Sequence, residues 1–179
     1  MEERLNKAVD NYNVVISISK KAQTLTKQDK KYVSEFNLPI LGKKFKDSHA
    51  EIDEYFDKLS DIILEYSFLE LFASFEAIVI EKIKLASGEM KKTLNSNYNT
   101  SFPFNSYEER FVKNEDDLSS LNKILNLLEN KIDNNLYDKL KIIVKYRDRL
   151  AHGKRFNEDI VLESIDETKK IMEQILDEI

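Results

Sequence analysis

The chain has 179 residues, of which 41% are hydrophobic and 34% charged, with no cysteine and a formal net charge of −5. Those values fit one globular domain, residues 1–179, long enough to bury a core without a disulfide or metal staple. They exclude thiol catalysis, cysteine-ligated zinc and iron–sulfur clusters, and bulk charge does not predict a nucleic-acid binder.

Only three glycines and two prolines occur, while Leu, Ile, Lys and Glu recur throughout, so the composition predicts an all-α fold. Gly42, Gly88 and Gly153 stand apart, and neither a P-loop nor a dinucleotide fingerprint can be assembled from them. The start, Met1-Glu2-Glu3-Arg4, lacks a basic-then-apolar pattern, and the most apolar run, Leu71 to Ile80, is short and interrupted by Glu76. A soluble, cytoplasmic protein with no membrane partner is expected.

The first predicted helix runs from about Glu2 to Lys21, with Leu5, Ala8, Val9, Tyr12, Val15, Ile16 and Ile18 mainly on one side. A short helical piece over Lys27 to Phe36 precedes the turn Leu38-Pro39-Ile40-Leu41-Gly42, where proline stops helicity. Ser48 and Glu51 have capping-box spacing and open the longest element, which nothing breaks before Ser87-Gly88. Ile52, Phe56, Leu59, Ile63 and Tyr66 make its first half amphipathic. Phe68, Leu69, Leu71, Phe72, Phe75, Ile78, Val79, Ile80 and Ile83 surround its second half, as expected of the central helix of a bundle or of an oligomer interface.

Glu89 to Asn105 reads as the main loop, and Ser106 to Glu109 as a second capping box. Helices follow at about Leu118 to Lys131, Asn135 to His152 and Asp159 to Ile179. The apolar surface of Phe68 to Ile83 exceeds what one layer of short helices readily covers, so a homodimer is expected.

Chemistry concentrates in one stretch. Histidine is the side chain best suited to proton transfer near neutral pH, and the chain has only His49 and His152. His49 belongs to a charged first turn and reads as a surface residue. His152 closes Lys145-Tyr146-Arg147-Asp148-Arg149-Leu150-Ala151-His152-Gly153-Lys154-Arg155, which holds three of the chain's five arginines. Five cations (Lys145, Arg147, Arg149, Lys154, Arg155) against Asp148 give +4 here, leaving −5 − 4 = −9 for the remainder. A polyanion site needs charge gathered in this way.

On a helix, Asp148 and His152 are four apart and within hydrogen-bonding reach, so the carboxylate can orient the imidazole. Arg147 and His152 are five apart, about 140° around the axis, and do not converge within a regular helix. Gly153 can end the helix and let the imidazole swing outward, or a two-fold axis can bring Arg147 and His152 of two copies around one cleft.

Glu76 lies in apolar sequence and either pairs with Arg147 or Arg149 in a supporting role or reaches water at a helix edge. Tyr146 either stacks a base or packs in the core. The row Glu54, Asp57, Asp61 and Glu65 reads as a solvated face, and Asp116-Asp117 as a favourable helix start. No metal cluster and no cofactor is expected.

Arg147-Asp148-Arg149-Leu150-Ala151-His152-Gly153 resembles the Arg-x4-6-His signature of HEPN domains (higher eukaryotes and prokaryotes nucleotide-binding), in which Asn, Asp or His often follows the arginine. The all-helical pattern, a bundle with one long central helix, and the motif's place before a last helix are similar to that family. The resemblance implies a metal-independent endoribonuclease, a hydrolase whose site forms across a homodimer, commonly in toxin–antitoxin or antiviral defence systems. A cognate antitoxin or defence-system subunit is the partner so implied.

Carried over, Arg147 and His152 are catalytic and Asp148 supports them, while Lys145, Arg149, Lys154 and Arg155 hold RNA. In a subset silenced by a partner nucleotidyltransferase a Tyr stands two residues after the His; Lys154 takes that place here, so silencing by nucleotide addition is not implied. The alternative from another class is a catalytically silent helical module, an immunity or regulatory subunit that keeps the scaffold for dimerisation.

Overall fold

The structure is a computed structural model and describes residues 2–28, 49–98, 131–152 and 164–179, together with 125, 126, 128 and 129. Every extended element among them is an α-helix: α1 (Glu2–Gln28), α2 (His49–Tyr98), α3 (Asn134–Ala151) and α4 (Ile165–Glu178). The expected turn at 38–42, the boxes at Ser48 and Ser106, Asp116-Asp117 and most of the 118–131 helix lie outside the described residues. No described helix is long and apolar enough to cross a membrane.

Helix α2 has 50 residues, a length of roughly 75 Å at 1.5 Å per residue. It continues ten residues past Gly88, where a loop was expected. A lone glycine costs a helix only about 1 kcal/mol relative to alanine, and good helix formers flank this one. A Cβ placed at Gly88 would meet nothing within 4 Å, so no close approach requires glycine there.

Helix α1 runs antiparallel to α2. Arg4 bonds Glu81 at 3.2 Å, Asn11 bonds Glu70 at 3.0 Å and Gln23 bonds Asp53 at 2.7 Å, so positions in α1 rise as positions in α2 fall. The helix also extends to Gln28, past the expected end at Lys21. Its seam with the core uses Leu5, Ala8, Val9 and Tyr12, then narrows to the buried Ser19 and Thr26. Small side chains let the helices approach there, and the Thr26 hydroxyl satisfies itself on the Ala22 carbonyl at 2.8 Å. Val15 and Ile18, expected on the buried side, are exposed together with Val14. They fall outside the buried part of this narrow seam.

The main core gathers Phe68, Leu71, Phe72, Phe75, Ile78 and Val79 of α2 against Leu5 and Ala8 of α1, Leu140, Ile143 and Val144 of α3, and Ile171, Met172 and Ile175 of α4. Leu128 and Ile132 complete it. The apolar face from Phe68 to Val79 is therefore covered within one chain, and the need for a second copy inferred from that face falls away. Ile52, Tyr55 and Phe56 form a separate small cluster with Ala22 and Leu59 near the other end of α1.

Caps fix the shorter helices. The Asp133 carboxylate accepts from the Asn135 and Leu136 amides at 2.9 and 3.3 Å, and the Asp133 amide donates to Glu178 at 2.8 Å, tying the start of α3 to the end of α4. Ser164 accepts from the Glu167 amide at 3.3 Å and starts α4, while 159–163 lie outside the described residues. Lys82 donates to the Leu176 carbonyl at 2.5 Å, so a cation of α2 satisfies one of the last carbonyls of α4.

Two outcomes follow from this packing. Phe75→Ala should lower unfolding free energy by about 3–5 kcal/mol in urea titration, because its ring is buried among three helices. The second concerns Asp53, whose carboxyl is held below its ordinary 3.8 by the hydrogen bond from Lys27, with Gln23 assisting against desolvation. Its contribution is present above the ordinary carboxylate range and is lost as pH falls through the depressed folded value. Acid unfolding of Asp53→Asn should accordingly show a weaker pH dependence below 3.8 than that of the parent chain.

Candidate functional site

Helix α3 presents two chemically different sides. Leu140, Ile143 and Val144 are buried against the bundle, and Arg147 continues their row one turn later. A cation on a core-facing row needs partners, and it has three. Its Nη2 lies 3.7 Å from Glu76 Oε1 of α2, its Nη1 donates to Asp148 Oδ1 at 2.8 Å, and the guanidinium carbon stands 5.3 Å from the centre of the Phe72 ring. The Arg147 and Glu76 side chains are 27% and 23% exposed, so water still reaches them.

Of the two arginines considered as partners of Glu76, Arg147 is the one that reaches it. The Phe72 ring beneath the guanidinium was not anticipated from sequence. A cation–π contact across two helices has no signature in local spacing.

Tyr146 packs edge-on against Phe68, with ring centres 4.8 Å apart, and belongs to the half-buried shell of the core. Of its two expected roles, this arrangement supplies core packing. Asp148 was expected to contact the His152 imidazole. Its carboxylate instead bonds Arg147, and no hydrogen bond joins it to the imidazole. The adjacent guanidinium, with its forked set of donors, takes the carboxylate in preference to the imidazole one turn away.

His152 caps α3. Its backbone amide donates to the Asp148 carbonyl at 3.0 Å, and its side chain is exposed. Counted at about 100° per residue, Lys145, Arg149 and His152 share the side of α3 roughly opposite Arg147. Lys145 is exposed; Arg149 is half-buried, with its Nε shielded from solvent and without a hydrogen-bond partner. Gly153, Lys154 and Arg155 lie outside the described residues. His49 is exposed at the start of α2, as its charged setting suggests.

The site thus comprises a guanidinium steadied at the α2–α3 seam and, around the helix, a cationic face ending in an exposed imidazole. An anion such as a phosphate could meet Arg147 by exchanging places with one carboxylate, since both are partly hydrated. Within one copy, however, Arg147 and His152 face different directions.

The seam contact has a measurable consequence. Arg147→Ala should reduce stability by about 1–2 kcal/mol in urea unfolding, through lost stacking on Phe72 and the lost Glu76 pair. His152→Ala should leave the unfolding midpoint unchanged, because its side chain is exposed and makes no hydrogen bond or ion pair among the described residues. Compared with known proteins, the chain matches no family model, no curated protein and no solved structure.

Proposed function

We propose that this protein is a HEPN-type, metal-independent endoribonuclease that acts as a homodimer in the cytoplasm, as a toxin or antiviral-defence effector. The observation that carries the reading is the setting of the Arg147-to-His152 motif. Its arginine is held at the seam by Glu76, Asp148 and Phe72, its histidine ends the same helix, and cations occupy the side between. In this mechanism a ribose 2′-hydroxyl attacks the adjacent phosphate, His152 moves the protons, and Arg147 stabilises charge on the phosphorane. Asp148 and Glu76 fix the guanidinium rather than the imidazole. Lys145 and Arg149, with Lys154 and Arg155, hold the phosphate backbone.

Because Arg147 and His152 lie about 140° apart around α3, joining them on one phosphate calls for a second copy. A cognate antitoxin or defence subunit would then act by covering this face. The second reading, a catalytically silent interaction module, is favoured by one specific contact: Asp148 engages Arg147, and among the described residues no carboxylate orients the imidazole.

Cleavage chemistry separates the two readings. With RNA in EDTA, the enzyme should leave 2′,3′-cyclic phosphate and 5′-hydroxyl ends and spare an oligonucleotide carrying 2′-deoxyribose at the cut. His152→Ala should abolish turnover with the fold intact, whereas Arg147→Ala should lower turnover more than RNA affinity. Fragments bearing 5′-phosphate, or cutting that requires magnesium, would remove His152 from the chemistry. Absence of cleavage by the folded parent chain on all RNA classes would leave the interaction module.

A further inference from the structure

Three exposed aliphatic side chains cluster on α1, away from the Arg147 seam. Val14 is 58% and Ile18 63% exposed, with Val15 and, across the seam on α2, Tyr66 also open to solvent. The Asn11–Glu70 bond places Tyr66 level with Val14 and Val15, since one turn beyond Asn11 in α1 corresponds to one turn before Glu70 in α2. These side chains form one patch, where single exposed apolar residues would need no explanation.

The polar residues bordering the patch name its occupant. Asp10, Val14, Ile18 and Lys21 follow one another at spacings of four, four and three, so they form one stripe along the outer side of α1. An acid stands at one end and a base at the other. Asp10 and Lys21 are both exposed, and neither makes a hydrogen bond or ion pair among the described residues. In an antiparallel pair of identical helices related by a two-fold axis near position 16, residue i faces residue 31 or 32 minus i. Val14 then meets Ile18 of the second copy, and Asp10 meets its Lys21, each contact occurring twice.

The flanks of the stripe comply as well. Lys7 faces Thr24 and Leu25, and Glu3 faces Gln28, so no like charges are opposed. An unrelated acidic or basic helix would match one end of this stripe and repel the other, whereas a second copy matches both.

We infer that the outer face of α1 is a self-association surface, on which a second copy of this chain docks antiparallel through Val14 and Ile18 with reciprocal Asp10–Lys21 pairs. This goes beyond the ribonuclease reading and does not rest on it. Asn11 meets α2 at Glu70, and Arg147 meets α2 at Phe72 and Glu76, about 120–160° around α2 from Glu70, so the contact lies away from the Arg147 seam. With a patch this small, dimerisation in the micromolar range is expected.

Sedimentation equilibrium from micromolar to submillimolar concentration tests the surface without any use of RNA, so its fate is independent of the cleavage assay. The parent chain should self-associate reversibly, and pairing through the α3 face as well would carry the assembly beyond a dimer. Ile18→Glu should weaken it by about tenfold or more, since the change enters the interface twice. Asp10→Lys and Lys21→Asp should each weaken it, and the double reversal, which restores both pairs with exchanged signs, should recover most of the parent affinity. The chain has no cysteine, so Val14→Cys/Ile18→Cys should also cross-link into a dimer on oxidation. A monomer at every concentration would overturn the inference. So would a dimer whose affinity none of these substitutions changes, because it would form through another surface.

Discussion

The aromatic row of α2 is the constraint on which the other elements depend. Phe68, Phe72 and Phe75 lie one turn apart, with ring centres 6.4 and 6.3 Å from neighbour to neighbour, and all three are almost wholly buried. The short helices gain stability by joining the core built on that row, since an isolated helix of the length of α3 or α4 is marginal in water. Phe68 receives Tyr146, and Phe72 receives the Arg147 guanidinium. The same ring that fills the core is therefore the floor of the candidate site, so packing and chemistry are joined through one residue.

That arrangement explains why a cation can continue an apolar row. Arg147 stands over an aromatic face, keeps its charged end near two carboxylates and remains partly hydrated, which limits the desolvation that burial would otherwise impose. Lysine would not substitute well, because the guanidinium stands over the Phe72 ring while it donates to Asp148 and pairs with Glu76. The opposite side of α3 carries its cations without such restraint, and Lys145 there extends into solvent.

Much of this was legible in the sequence, for physical reasons that can be named. The helices followed from periodicity, and the candidate role of Glu76 followed from the cost of a lone acid in apolar surroundings. The end of α2 did not, because Ser87-Gly88 resembles a stop while a single glycine in good helical context only weakens a helix. Val15 and Ile18 were assigned to the buried side because an apolar pattern reports hydrophobicity and not what covers it. Ser164 and Glu167 carry capping-box spacing that sequence reading passed over in favour of an earlier start. The Asp148 carboxylate had two candidates, Arg147 beside it and His152 one turn on, and spacing alone favours the second while charge favours the first.

The two apolar clusters differ in more than size. Ile52, Tyr55 and Phe56 share no buried neighbour with the main core, and between the clusters the α1–α2 seam is filled by small or hydroxylated side chains. Cooperativity in a folded protein is transmitted by shared burial, so a gap of this kind divides the hairpin into two energetic units. The far end of α1 can part from the beginning of α2 at the cost of the small cluster and the pairs on Asp53, while the aromatic row keeps its cover. Among the described residues, the small cluster therefore stands apart from the contacts that surround Phe72.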